Sequence, residues 1–178
     1  YATPQANVAE VLPSVAQLNP FSMSGRIGRL RYLAWSLVLM AAFVALMAVT
    51  GMVMALSEIA GGLLMIALAI GMLVVSVQIG AQRLHDVGWS AWLLLLNLVP
   101  LVNSVFWLLM LLIPGNDGVN RYGPPAPPNS MPVKILAGLF IALVLGSIIA
   151  LFLGGFAMLA MGLAMSGLDF SSLSSPSN

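Results

Sequence analysis

Of 178 residues, 61% are hydrophobic and 6% charged, with a mean hydropathy of +1.06; a soluble domain carries about 25% charge, so the chain is excluded from water and belongs in a membrane. Six basic residues and a net charge of +1 are too few to neutralise a phosphate track, which excludes nucleic acid as a partner. The absence of cysteine excludes a disulfide framework, a thiolate metal site and a cysteine nucleophile.

Residues 1–20 are polar and contain Pro4, Pro13 and Pro20. They lack the basic start and short apolar core of a signal peptide, so secretion by a cleaved signal is not expected; a removed upstream segment is compatible with the opening Tyr1. Val8, Val11, Leu12 and Val15 fall at near-helical spacing, which fits a short interfacial helix as well as an extended tail. Three basic residues follow at Arg26, Arg29 and Arg31. Ser24 is placed to cap a helix starting near Gly25, on which Arg26 and Arg29 would share a face. The first charge-free run, Leu33 to Leu56, spans roughly 36 Å as a helix, enough for a core of about 30 Å. Tyr32 and Trp35 sit where an aromatic belt is expected.

Gly51, Ser57, Glu58, Gly61 and Gly62 mark a return, and the second charge-free run extends from Ile59 to Ala81. So short a link predicts an antiparallel pair with Glu58 on the face opposite the arginines. The stretch from Gln82 to Trp89 then carries the single histidine, His85, together with Arg83 and Asp86. The third run, Trp89 to Ile113, is interrupted by Asn97, Pro100, Asn103 and Ser104. A proline removes an amide hydrogen and clashes with the preceding turn, and the asparagines are placed to satisfy the freed backbone groups. This pattern fits a single kinked span or a re-entrant hairpin of two half-helices, near Ser90–Leu98 and Asn103–Ile113. A hairpin keeps all six basic residues on one side, as the positive-inside rule prefers. Residues 114–132 are turn chemistry followed by a proline-rich extended linker. The last run, Ile135 to Leu168, is about 51 Å long as a helix, which must tilt, bend or project. Along it Gly138, Ala142, Gly146, Ala150 and Gly154 recur every fourth residue, a smooth stripe that lets another backbone approach closely.

The expected fold is therefore all-α and polytopic: three full transmembrane helices plus a proline-broken helical segment, either a re-entrant hairpin or a fourth kinked span. The parts are a polar N-terminal segment (1–20), a membrane core (21–125), a proline-rich linker (126–132), an additional transmembrane helix (133–168) and a polar serine-rich tail (169–178).

Three polar pieces stand in order between the apolar runs: Ser24-Gly25-Arg26-Ile27-Gly28-Arg29 with Tyr32; Arg83-Leu84-His85-Asp86-Val87-Gly88-Trp89-Ser90-Ala91-Trp92; and, after Pro100, Gly115-Asn116-Asp117-Gly118-Val119-Asn120-Arg121-Tyr122-Gly123-Pro124. Together they resemble domain-of-unknown-function family 805, over roughly residues 21–125. Gly28 and Leu30 stand where that pattern usually has a polar or basic residue, and Ala91 where it has a glycine. The resemblance implies a bacterial source and the cytoplasmic (inner) membrane; it says nothing of an activity, since the family has none assigned. The basic N-terminal segment is expected in the cytoplasm.

Arg83 and Asp86, three apart, can pair across a turn, or Asp86 can cap a helix beginning near Trp89. Asp117 and Arg121 offer a second acid–base set. With Arg26, Arg29 and His85 these residues form an expected structural polar motif at the membrane surface; His85 is expected to orient its loop through a ring hydrogen bond. The basic residues also suit anionic lipid headgroups, at about 1 kcal/mol each. No catalytic residue, cofactor or metal ligand set is nominated, because one histidine and five scattered carboxylates do not make a site. Met40, Met47 and Met54 recur every seven residues, which is read as adaptable packing. The functional expectation is a non-catalytic accessory or structural subunit that packs on other membrane subunits or on its own copy. The alternative is a small-solute transporter or channel component.

Overall fold

The computed structural model describes residues 15–165; the possible interfacial helix near Val8–Val15 and the serine-rich tail fall wholly or mostly outside them. The described residues are helical, without strands: α1 (Arg29–Leu56), α2 (Glu58–Val87), a 3-10 helix (Ala91–Leu98), α3 (Val102–Leu112) and α4 (Met131–Met165). Three of these, α1, α2 and α4, are long and apolar enough to cross a membrane. Most side chains along them are exposed rather than buried, as suits helices whose solvent is lipid.

A single residue, Ser57, separates α1 from α2. Its extended backbone (φ −156°, ψ 113°) reverses the chain, its N–H closes α1 onto the Val53 carbonyl at 2.9 Å, and its hydroxyl accepts from the Ala60 N–H at 3.3 Å to cap α2. Two helices joined this tightly pack antiparallel along each other. Gly61 makes the approach feasible: a Cβ there would come within 2.5 Å of the Met54 Cα. Because that neighbour is main chain and cannot rotate away, Gly61→Ala is expected to destabilise the pair by about 1–3 kcal/mol. Thermal unfolding in mild detergent checks this; Gly62→Ala, where nothing lies within 4 Å, is the control.

At its other end α2 stops in a Schellman turn. Gly88 takes the left-handed conformation (φ 88°) that a side chain would resist. Its N–H bonds the His85 carbonyl at 3.1 Å, and the Trp89 N–H bonds the Leu84 carbonyl at 2.8 Å. Ser90 then caps the next helix by accepting from the Trp92 N–H at 3.4 Å. That helix is 3-10 rather than the α-helical arm expected; at about 2 Å per residue its eight residues span roughly 16 Å. The chain turns at Val99–Leu101, where Leu101 is held at φ 69° and ψ −46°, a strained conformation for a branched side chain. The eleven residues of α3 return over roughly 16 Å, and the two arms pack against each other.

The entry to this segment leaves α2 at Leu84–Trp89, and its exit, Met110 and Ile113, bonds Arg83 on the same turn. Both ends of residues 89–113 thus meet one end of α2. The segment is a returning hairpin, and the kinked fourth span is not what forms. Leu84, Phe106 and Met110 are its buried core, with Tyr32, Trp89 and Leu93 packed around them.

After the loop, α4 begins at Met131, so the last two residues of the expected linker belong to the helix, where Pro132 suits a first turn. The described residues fall into two compact units, divided after Gly138. The first holds every feature described below except the distal part of α4.

Candidate functional site: a closed polar cluster

The three polar pieces converge at one end of the α1–α2 pair. Asp86, on the last turn of α2, is 2% exposed and stands between two guanidiniums that are fully buried. Arg26 reaches its Oδ1 with Nε at 3.3 Å and Nη2 at 3.2 Å, and Arg83 reaches its Oδ2 with Nη1 at 3.0 Å. These are the two ion pairs among the described residues.

One carboxylate does not neutralise two guanidiniums, and the remaining charge is met by main-chain carbonyls. Arg26 donates from Nη1 to Gly118 O at 2.6 Å and Gly123 O at 3.1 Å, and from Nη2 to Asn116 O. With its two bonds to Asp86, every N–H of this guanidinium has an acceptor. Arg83 donates from Nε to Met110 O at 2.7 Å and from Nη2 to Ile113 O, and Arg29 donates to Leu112 O at 3.0 Å. The carbonyls at 110 and 112 belong to the last turn of α3, and Ile113 is its cap. A helix end carries unsatisfied acceptors and roughly half a negative charge, so two arginines cap α3 while its dipole offsets their excess charge.

The same use of arginine recurs outside the centre. Arg31 bonds Pro127 O at 3.0 Å and Pro128 O at 2.9 Å, which fastens the proline-rich linker. Arg121 bonds Gly88 O at 3.1 Å and lies 4.8 Å from the centre of the Tyr122 ring. The His85 ring stacks on Tyr122 at 3.8 Å and 12°, while its carbonyl accepts from Asn120 Nδ2 at 2.8 Å. Thus His85 holds the loop by stacking, and the expected ring hydrogen bond goes to the main chain at Gly25.

Several expectations are corrected. Arg26 does not share a helical face with Arg29: α1 begins at Arg29 behind Gly28, and Ser24 caps nothing, its hydroxyl lying 2.7 Å from that of Ser22. Asp86 does not cap the helix after Trp89; Ser90 does, which frees the carboxylate for the arginines. Asp117 is exposed and makes no ion pair with Arg121 among the described residues. The loop at 115–123 does bridge the other two pieces, but through its backbone.

Two contributors were not singled out from the sequence. Gln82, fully buried, donates from Nε2 to Asn19 O at 2.6 Å and to Ser22 O, and its main-chain carbonyl accepts from the Ile27 N–H at 3.3 Å. It pins the segment that carries Arg26. A neutral amide closing a charge-free run, beside the first charge after it, was the available signal. Gly115 is the other: a Cβ at this position would fall inside the Asp86 carboxylate. Among the described residues no three His, Cys, Asp or Glu side chains gather to hold a metal ion. The helix-break residues Asn97, Pro100 and Asn103 form the hairpin tip, away from the cluster, and the stripe residues Gly138, Ala142, Gly146, Ala150 and Gly154 lie along α4.

Fold and cluster define a multi-pass helical membrane protein whose polar loops are tied by arginine to one another's main chain. Residues 20–124 match the model of the family described as protein of unknown function (DUF805). The chain belongs to that family. No curated protein and no solved structure matches it.

Proposed function

We propose that this chain is a non-catalytic accessory or structural subunit of the bacterial cytoplasmic membrane, packing α4 on a partner subunit or a second copy of itself. The observation that carries the reading is the glycine face of α4: among the described residues, its own helix backbone aside, nothing lies within 4 Å of where a Cβ would stand at Gly138, Gly146 or Gly154. Small residues at a four-residue repeat are where membrane helices approach closely. The polar cluster supports the same reading from the other side, because its charged groups are committed to each other and to carbonyls. Gly146→Leu is expected to abolish co-purification of the partner, or self-association, in mild detergent; assembly at unchanged stoichiometry would remove the proposal.

The proposed orientation places the basic end in the cytoplasm and lets the two arms, each about half the thickness of a hydrocarbon core, re-enter it. Exposed Arg29, Arg121 and Lys134 would then meet anionic headgroups at about 1 kcal/mol each. Single cysteines at the exposed positions Met23 and Val119 are expected to react with an impermeant maleimide only from the cytoplasmic face, and one at exposed Leu56 only from the opposite face. A small-solute transporter or channel component is the second reading, favoured by the half-length arms of the hairpin; solute flux through vesicles holding this chain alone would put it first.

A further inference from the structure

A cavity of about 920 Å³ opens between α2 and the hairpin, within the upper range of small-molecule pockets. It runs along α2 from Gly80 to Leu73, a descent of roughly 10 Å from the polar cluster toward the middle of the span. No charged side chain lines it among the described residues. Trp92, Trp107 and Tyr32 contribute aromatic surface, and Ser76, Asn97 and Asn103 contribute polar groups. Ser76 donates its hydroxyl to Leu73 O at 2.9 Å within its own helix. The asparagines differ: they flank the hairpin tip, both are exposed, and neither side-chain amide has a hydrogen-bond partner among the described residues.

In the orientation proposed above the hairpin tip lies within the bilayer, where unpaired amides are costly, and two of them at one end of an apolar cavity call for a ligand that supplies their partners. We propose that this cavity binds one uncharged amphiphile from the bilayer, with an apolar body along the aromatic wall and a hydroxyl or carbonyl head held by Asn97 and Asn103. Neutrality follows from the lining, which has no charge to meet a phosphate or an ammonium. A hydroxyl or carbonyl head follows from the amides, which donate and accept. The membrane as source follows from the position of the cavity beside a spanning helix. The inference rests on the proposed re-entry of the hairpin, which the cysteine labelling tests separately, and is independent of whether α4 has a partner.

The chain has four tryptophans, two of which line the cavity, so contact quenching reads occupancy. The test uses the full chain in phosphatidylcholine nanodiscs, titrated separately with dibrominated diacylglycerol, phosphatidylcholine and phosphatidylglycerol. Diacylglycerol is expected to quench at a mole fraction about tenfold below the other two. Replacing both amides (Asn97→Leu with Asn103→Leu) should erase that preference, at about a tenfold shift. Trp92→Phe with Trp107→Phe should remove the preferentially quenched emission. Equal quenching by all three lipids, a preference for phosphatidylglycerol, or a diacylglycerol preference that survives loss of both amides would each overturn the proposal. If the double leucine variant does not fold, Ser76→Phe fills the cavity from α2 and should abolish the preference; its persistence is equally decisive.

Discussion

Asp86→Asn is expected to lower the stability of the protein by about 3–5 kcal/mol, the cost of breaking a buried ion pair from one side. The size follows from the asymmetry of the cluster. Among the described residues Asp86 is the single anion facing Arg26 and Arg83, all three buried, and neutralising it leaves two guanidiniums with carbonyl dipoles for compensation. The damage also spreads through the connections. Arg26 holds the main chain at 116, 118 and 123, and Arg83 holds the end of α3; a shift of either loosens the hairpin from α2. Chemical or thermal unfolding in mild detergent measures the loss. Retention of wild-type stability to within about 0.5 kcal/mol, the range of an ordinary surface substitution, would mean that the pairs do not hold the pieces together.

Gly115→Ala is expected to be nearly as severe, about 3 kcal/mol from overpacking and displacement of the carboxylate, although it adds a single methyl to a half-buried loop. That methyl would occupy the space of the Asp86 side chain. The carboxylate cannot move without leaving Arg83, since its Oδ2 is held at 3.0 Å. The cause makes a sharper statement than the size. In a background of Asp86→Ala the space is vacant, so adding Gly115→Ala should cost well under about 1 kcal/mol, giving a strong coupling in a double-mutant cycle. Additive losses would show that the glycine serves its own backbone rather than the carboxylate. Gly118→Ala, where a Cβ would meet nothing within 4 Å, should be mild in both backgrounds.

The long helices were legible in the sequence because a charge-free run of more than twenty residues has few alternatives. The antiparallel pairing was legible because the link is too short for anything else. Pro100 between Asn97 and Asn103 announced a break, but left a kink and a hairpin both standing. What separates them is where Met110 and Ile113 end up relative to Arg83, and no local pattern records that. The 3-10 winding of residues 91–98 was hidden for a related reason: a stretch that is apolar at every position but Asn97 has no period. In the cluster, the pairing of Arg83 with Asp86 followed from spacing. The partnership of Arg26 with Asp86, sixty residues apart, did not. Asp117 was drawn in because it carries charge, whereas the loop contributes carbonyl oxygens, which every residue has. Residue identity is a poor guide when the recognised group is the backbone.

The loop that Arg26 grips is specified by counting rather than by spelling. Its carbonyls at 116, 118 and 123 fall where they do because a fixed number of peptide units separates them, while exposed Asp117 and Val119 merely fill the gaps. Swapping either letter leaves the oxygens in place. Deleting one unit slides at least one of them off its nitrogen, so this stretch tolerates substitution and resists any change of length.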